Sequence, residues 1–106
     1  MAYLPERPTL PELQRSLAAV CQERGWTKDR PAETCVLFIE EVDELAKAMR
    51  KAAGMYEEQA KARDMPLEEA FADVPSLLLD LANAFQIDLD QAFRAKEQVN
   101  QSRIWD

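Results

Sequence analysis

The stretch from Pro31 to Gly54, PAETCVLFIEEVDELAKAMRKAAG, decides how the rest of the chain is read. Past its leading proline it is rich in good helix formers, and its one glycine closes it, so local propensity favours a single long helix. A helix from about Pro31 to Ala53 is expected, with proline in the first turn and Gly54 as the stop. Cys35, Phe38, Ile39, Val42, Leu45, Ala46 and Met49 recur at helical spacing and form its expected core stripe. Within that helix, Glu40-Glu41-Val42-Asp43-Glu44 sets four acids in five residues.

The angular positions of those acids matter. At ~100° per residue, with Val42 at the centre of the stripe, Glu40, Glu44 and Glu41 fall at about 160°, 200° and 260°. They form one acidic strip, and Asp43 lies on the other flank. Glu41 and Glu44 are one turn apart, so both carboxylates can converge on one cation. The plain alternative is a solvated face opposite the core. Two features count against it: Leu37 and Ala48 lie inside the acidic strip, and like charges one turn apart repel by roughly a few tenths of a kcal/mol. No lysine relieves that repulsion before Lys47, whereas a bound divalent ion removes it.

Size and charge set the outer bounds. The chain has 106 residues, which fits one domain, 1–106. A domain of this length buries only about two-thirds of its unfolded surface, so pairing with copies of itself brings a large gain. Hydrophobic residues make up 47% and charged residues 31%, a globular rather than a disordered composition. The net charge of -7 speaks against a broad grip on a nucleic-acid polymer, which needs a basic face. It leaves nucleotides open, because a divalent metal bridges carboxylates to phosphates. Cys21 and Cys35 lie in predicted helices among apolar neighbours and are read as buried thiols rather than a disulfide or a metal site. The first ten residues lack a signal-peptide layout. Apolar runs fall well short of the ~20 residues that span a bilayer. No membrane association is expected, and the expected location is the cytoplasm.

Around the acidic helix the rest of the chain also reads as helix, with only two glycines in all. A first helix is expected from about Pro11 to Arg24. Thr9 and Glu12 form a capping box, Leu13, Leu17, Val20 and Cys21 an apolar face, and Gly25 the stop. The segment Met55 to Met65 reads either as a helical extension or as a polar connection. A third helix is expected from near Pro66 to Phe85. Pro75 lies inside it, which costs ~3 kcal/mol and predicts a kink or two helices joined near Val74. A fourth runs from Leu89 to near Arg103, with Asp88 and Gln91 as a capping box. The fold class is all-α, a bundle of four to five antiparallel helices.

Two further sets of polar residues carry chemistry. Asp73 and Asp80 are seven residues apart and share a face of the third helix, with Glu69 one turn before Asp73. Asp80 sits among Leu77, Leu78, Leu79 and Leu81, where a carboxylate must find a partner, a metal or a proton. An ordinary helix–helix salt bridge or hydrogen bond would also satisfy it. On the fourth helix Lys96, Asn100 and Arg103 form one stripe, a lysine, an amide and a guanidinium suited to phosphate oxygens. Their plain alternative is a solvent face paired to acids.

Glu40-Glu41-Val42-Asp43-Glu44-Leu45 resembles the EExxE motif of MazG-like nucleotide pyrophosphohydrolases. Ala72-Asp73-Val74, Leu79-Asp80-Leu81-Ala82-Asn83, Ile87-Asp88-Leu89, and Lys96, Asn100 and Arg103 resemble the second half of the same pattern, in order. The resemblance runs from about Leu10 to Trp105. It implies a MazG-like bundle completed by oligomerisation, as a homodimer or a dimer of dimers. It further implies a Mg²⁺-dependent enzyme, with Mn²⁺ as a substitute, that cleaves a nucleoside triphosphate to a monophosphate and pyrophosphate in nucleotide-pool house-cleaning. By the match, Glu41, Glu44 and Asp73 are metal ligands. Glu40 is a further ligand or orients the water. Lys96, Asn100 and Arg103 meet the phosphates, with Asp80, Trp26 and Lys28 as further substrate contacts. The pattern's usual glutamate three residues before the aspartate is Ala70 here, and Glu69 is the nearest replacement ligand. The alternative is a weak or inactive module of the same shape that binds a nucleotide or a protein partner.

Overall fold

The computed structural model describes residues 4–26, 31–54 and 66–103. They form four helices: α1 (Leu10–Glu23), α2 (Pro31–Ala52), α3 (Leu67–Ala84) and α4 (Leu89–Ser102). Among the described residues there is no strand, so the all-α expectation holds with four helices. The segment from Met55 to Met65 and Lys28 lie outside the described residues. No described helix is long and apolar enough to cross a membrane.

The cap foreseen for α1 is formed in full, and that of α4 by its Asp88 half. Thr9 and Glu12 make a reciprocal box at the start of α1. The Thr9 backbone N–H and its hydroxyl both donate to Glu12 Oε1 at 2.9 Å. The backbone bond first, then the hydroxyl bond, holds the Glu12 carboxyl below its ordinary range. A depressed carboxyl adds stability above its unfolded pKa and loses it as pH falls through the folded value. At α4 the Asp88 side chain accepts from the Gln91 N–H at 3.1 Å.

The ends of α1 and α3 share one device. After α1, the Gly25 N–H donates to Gln22 O at 3.2 Å and the Trp26 N–H to Cys21 O at 2.9 Å. After α3, the Gln86 N–H donates to Asn83 O at 3.1 Å and the Ile87 N–H to Ala82 O at 2.9 Å. Both are Schellman motifs, which require a left-handed residue just past the helix. Gly25 supplies it at φ 68°, and Gln86 supplies it at φ 57° with a side chain.

Helix α3 is central, packing against both α2 and α1, while α4 touches α1. Ala70, Leu79 and Ala82 on α3 and Cys21 on α1 are the buried apolar residues. Among the described residues, Gln14 is the buried polar one. Its Nε2 donates to Ile87 O at 2.6 Å and its Oε1 accepts from the Leu89 N–H at 3.1 Å. Its own carbonyl accepts from Asn83 Nδ2 at 3.2 Å. This one side chain therefore locks the α3–α4 turn onto α1.

Three expectations need correction. First, α3 runs through Pro75 as one helix rather than two joined near Val74. Pro75 and Phe71 are both exposed, so water can serve the carbonyl that the proline leaves without a donor. Second, Cys35 is exposed, and only Cys21 is a buried thiol; neither forms a disulfide. Third, only Phe38 and Leu45 of the expected α2 stripe turn toward the rest of the chain. Thr34, Phe38, Glu41, Leu45 and Ala48 are the half-buried side, whereas Cys35, Ile39, Val42, Ala46 and Met49 are exposed. The packing face is centred about 80° round the helix from Val42, close to Glu41. The helix has two adjacent apolar faces, and a single chain covers one.

Helix α3 has its own exposed stripe, Phe71, Leu78 and Phe85, at 50%, 40% and 62% exposure. The accessible surface is 8433 Å², against roughly 6,000 Å² for a closed monomer of this mass. The radius of gyration is 16.5 Å, against about 13 Å for a compact domain of this length.

The left-handed Gln86 is the clearest point of local strain. Gln86→Gly is expected to stabilise the fold by up to ~1 kcal/mol, because glycine relieves the Cβ clash at positive φ and only part of that gain is lost to unfolded-state entropy. Chemical denaturation checks it; no change or a loss would show that the Gln86 side chain contributes contacts of its own.

Candidate active site

Helices α1, α2 and α3 enclose an open cavity of about 520 Å³. Leu17, Leu37 and Leu77 supply its apolar wall, and Cys21 and Ser76 line it between helices. Three carboxylates reach it: Glu41 from α2, and Asp73 and Asp80 from α3. Trp26 also lines it and is 53% exposed, which sets the indole at the rim. The α1 Schellman motif ties down the Trp26 main chain through its backbone N–H.

Glu41 is half-buried and its Oε2 atom is buried. It occupies the packing face because α2 is turned toward α3 on that side. Asp73 and Asp80 are also half-buried. The Cys21 thiol donates to Asp80 Oδ1 at 3.7 Å. Ser76, between the two aspartates, donates its hydroxyl to Ala72 O at 3.2 Å.

Carboxylate oxygens are the hard donors that Mg²⁺ selects, usually one or two of them beside waters and substrate phosphates. The donor set therefore fits such an ion in kind. Among the described residues, no three His, Cys, Asp or Glu side chains converge into a ready-made cage.

Over 97 residues, covering 92% of this chain and 78% of the relative, the sequence is 36% identical to the dATP/dGTP diphosphohydrolase of Cyanophage S-2L. The chain belongs to that diphosphohydrolase's family. No family model matches the chain, and no solved structure does.

In this member of the diphosphohydrolase family, the described residues singled out in the sequence divide into four groups. Glu41, Asp73, Asp80 and Trp26 meet at the cavity. Glu44 is half-buried beside Lys47, with Oε1 3.8 Å from Nζ, and the same lysine lies 3.1 Å from Asp43 Oδ2. Glu40 and Glu69 are exposed. Lys96 and Arg103 are exposed and Asn100 is half-buried, all on α4 and none on the cavity wall. Sequence reasoning did not single out Cys21 or Ser76 for the site. Cys21 already belonged to the apolar face of α1, and its step to Asp80 spans 59 residues, which no local pattern reveals.

Ala70, at the position where the resemblance leads one to expect glutamate, is 0% exposed. It lies one turn before Asp73 on α3, in the packed part of the helix. Ala70→Glu is expected to destabilise the metal-free protein by at least ~2 kcal/mol, since a carboxylate there is desolvated. Added Mg²⁺ is expected to recover more of the melting temperature than it gives the unaltered chain. A melting curve with and without Mg²⁺ decides this; equal shifts in both proteins would mean that position 70 does not face the metal.

Proposed function

We propose that the chain is a MazG-like, Mg²⁺-dependent nucleoside triphosphate pyrophosphohydrolase. The observation that carries this is the meeting of Glu41, Asp73 and Asp80, from two helices, in one cavity rimmed by an exposed tryptophan. The family relative, named for dATP and dGTP, points to purine deoxynucleoside triphosphates as the substrates. Water adds to the α-phosphorus, the bond to the β-phosphate bridging oxygen breaks, and a nucleoside monophosphate and pyrophosphate leave.

Glu41 and Asp73 would hold the metal, Mg²⁺ or Mn²⁺, with waters and substrate phosphates as its other ligands, and Glu44, Glu40 and Glu69, which lie off the cavity wall, would add oxygens only after a change of rotamer. When bound, the ion neutralises phosphate charge and acidifies a water. Glu41, half-buried at the helix seam, would serve as a metal ligand, and Glu40 as a further ligand or the group that orients the water. Asp80, held by the Cys21 thiol, fixes the inner wall. Leu17, Leu37 and Leu77 give the open cavity its apolar wall. Glu41→Gln and Asp73→Asn are each expected to cut pyrophosphate release by ~100-fold or more, measured with Mg²⁺ and a panel of deoxynucleoside triphosphates. Full activity in either variant would remove the site.

A second reading keeps the fold and loses the chemistry: a nucleotide- or protein-binding module. Ala70 in place of glutamate is the observation in its favour. Mg²⁺-dependent stabilisation without pyrophosphate release from any nucleotide would select it.

A homodimer accompanies the proposed activity. The exposed stripes of α2 and α3 are apolar; that of α2 steps at four and three residues and that of α3 at seven, the repeats of packed helices. A two-fold partner is the simplest cover for them. Lys96, Asn100 and Arg103, on the exposed α4, would then serve phosphates in the partner's cavity. Sedimentation is expected to give a dimer or larger at micromolar concentration. Mixing inactive Glu41→Gln and Lys96→Ala copies is expected to restore activity through hybrids with one intact site. A stable, active monomer would overturn the assembly.

A further inference from the structure

We propose that Arg24 is a positioning residue that sets Trp26 as the stacking platform for a purine base, an inference that rests on the nucleotide reading of the same cavity. The Arg24 guanidinium lies over the Trp26 ring, 5.1 Å from its centroid. A cation at that distance is attracted to the indole face and restrains its rotation. Arg24 covers one face of the ring, and with 53% of its surface exposed Trp26 keeps area for a flat ligand. The indole also lines the cavity that holds Glu41, Asp73 and Asp80. A base on the indole thus has its phosphates within the same cavity as the carboxylates.

The backbone reinforces this placement. Arg24 is the C-cap of α1, Gly25 takes the left-handed turn at φ 68°, and Trp26 follows, tied to Cys21 O at 2.9 Å. Cation and ring thus sit two residues apart across a fixed turn, on the end of a packed helix. A preorganised aromatic surface gives up little freedom on binding. Stacking depends on ring overlap and tolerates any base, but the two fused rings of a purine cover more of an indole than one pyrimidine ring does.

The platform is read by binding as well as by turnover. With Trp105→Phe as background, Trp26 is the remaining tryptophan of the two. Deoxyguanosine monophosphate, added in EDTA, is expected to quench its fluorescence. Trp26→Leu is expected to weaken that binding, followed by calorimetry, by about 5- to 100-fold, and Trp26→Phe to restore most of it. Arg24→Ala is expected to weaken it about two- to fivefold, with Arg24→Lys closer to the unaltered chain. In a Trp26→Leu background the Arg24→Ala effect should vanish, because Arg24 acts through the ring. In turnover, both changes should raise KM more for purine than for pyrimidine substrates and leave kcat little altered. Quenching without turnover of any triphosphate would defeat the pyrophosphohydrolase reading and keep the platform. Turnover with unchanged KM in Trp26→Leu, or an Arg24→Ala effect that persists without the ring, would defeat the platform alone.

Discussion

Helix α2 meets α3 along a line that passes through Glu41, and most of the site depends on that choice of face. Had α2 been turned to bury Val42 and Ile39 against α3, its acids would have looked into solvent. Instead the helix contributes Thr34, Phe38, Leu45 and Ala48 to the contact, with a carboxylate among them. A charge in such a seam is tolerated when it keeps access to water or a counterion. The cavity beside Leu37 supplies that access. The cost of turning this face inward is that the more apolar face of α2 is left uncovered.

Helix α3 turns that contact into a three-helix wall. Its buried alanines, Ala70 and Ala82, have short side chains and let neighbours approach, while Asp73, Ser76 and Asp80 face the opening. Pro75 interrupts one backbone bond without breaking the helix. Because that position is exposed, the two aspartates on either side of it stay on one continuous element. Elements joined by regular helix hold functional groups more tightly than loops do.

Local signals in the sequence were read correctly where they stood alone. The Thr9–Glu12 box, the Asp88 cap, the glycine stop after α1 and the four helix spans follow from short-range chemistry. The joint placement of Glu41, Asp73 and Asp80 was legible less directly, through their order along the chain more than through any spacing. The face of α2 was misread for a physical reason: a hydrophobic stripe marks what must be covered, not which molecule covers it. Burial of Cys35 failed with the same assumption. The Schellman turn at Gln86 carries no glycine to announce it, and the Cys21–Asp80 contact joins residues too far apart in sequence for periodicity to detect.

The hydrogen bonds of Gln14 carry an implication for how the chain is made. Its amide is satisfied by Ile87 and Leu89, more than 70 residues downstream. On a ribosome, α1 emerges early but cannot finish its packing until the start of α4 has cleared the exit tunnel. Until then a polar group destined for the interior must stay hydrated, so α1 remains in a loose, reversible association. Synthesis of α4 thereby closes the earlier α1, and a product cut short before α4 would leave that end of α1 open to proteolysis.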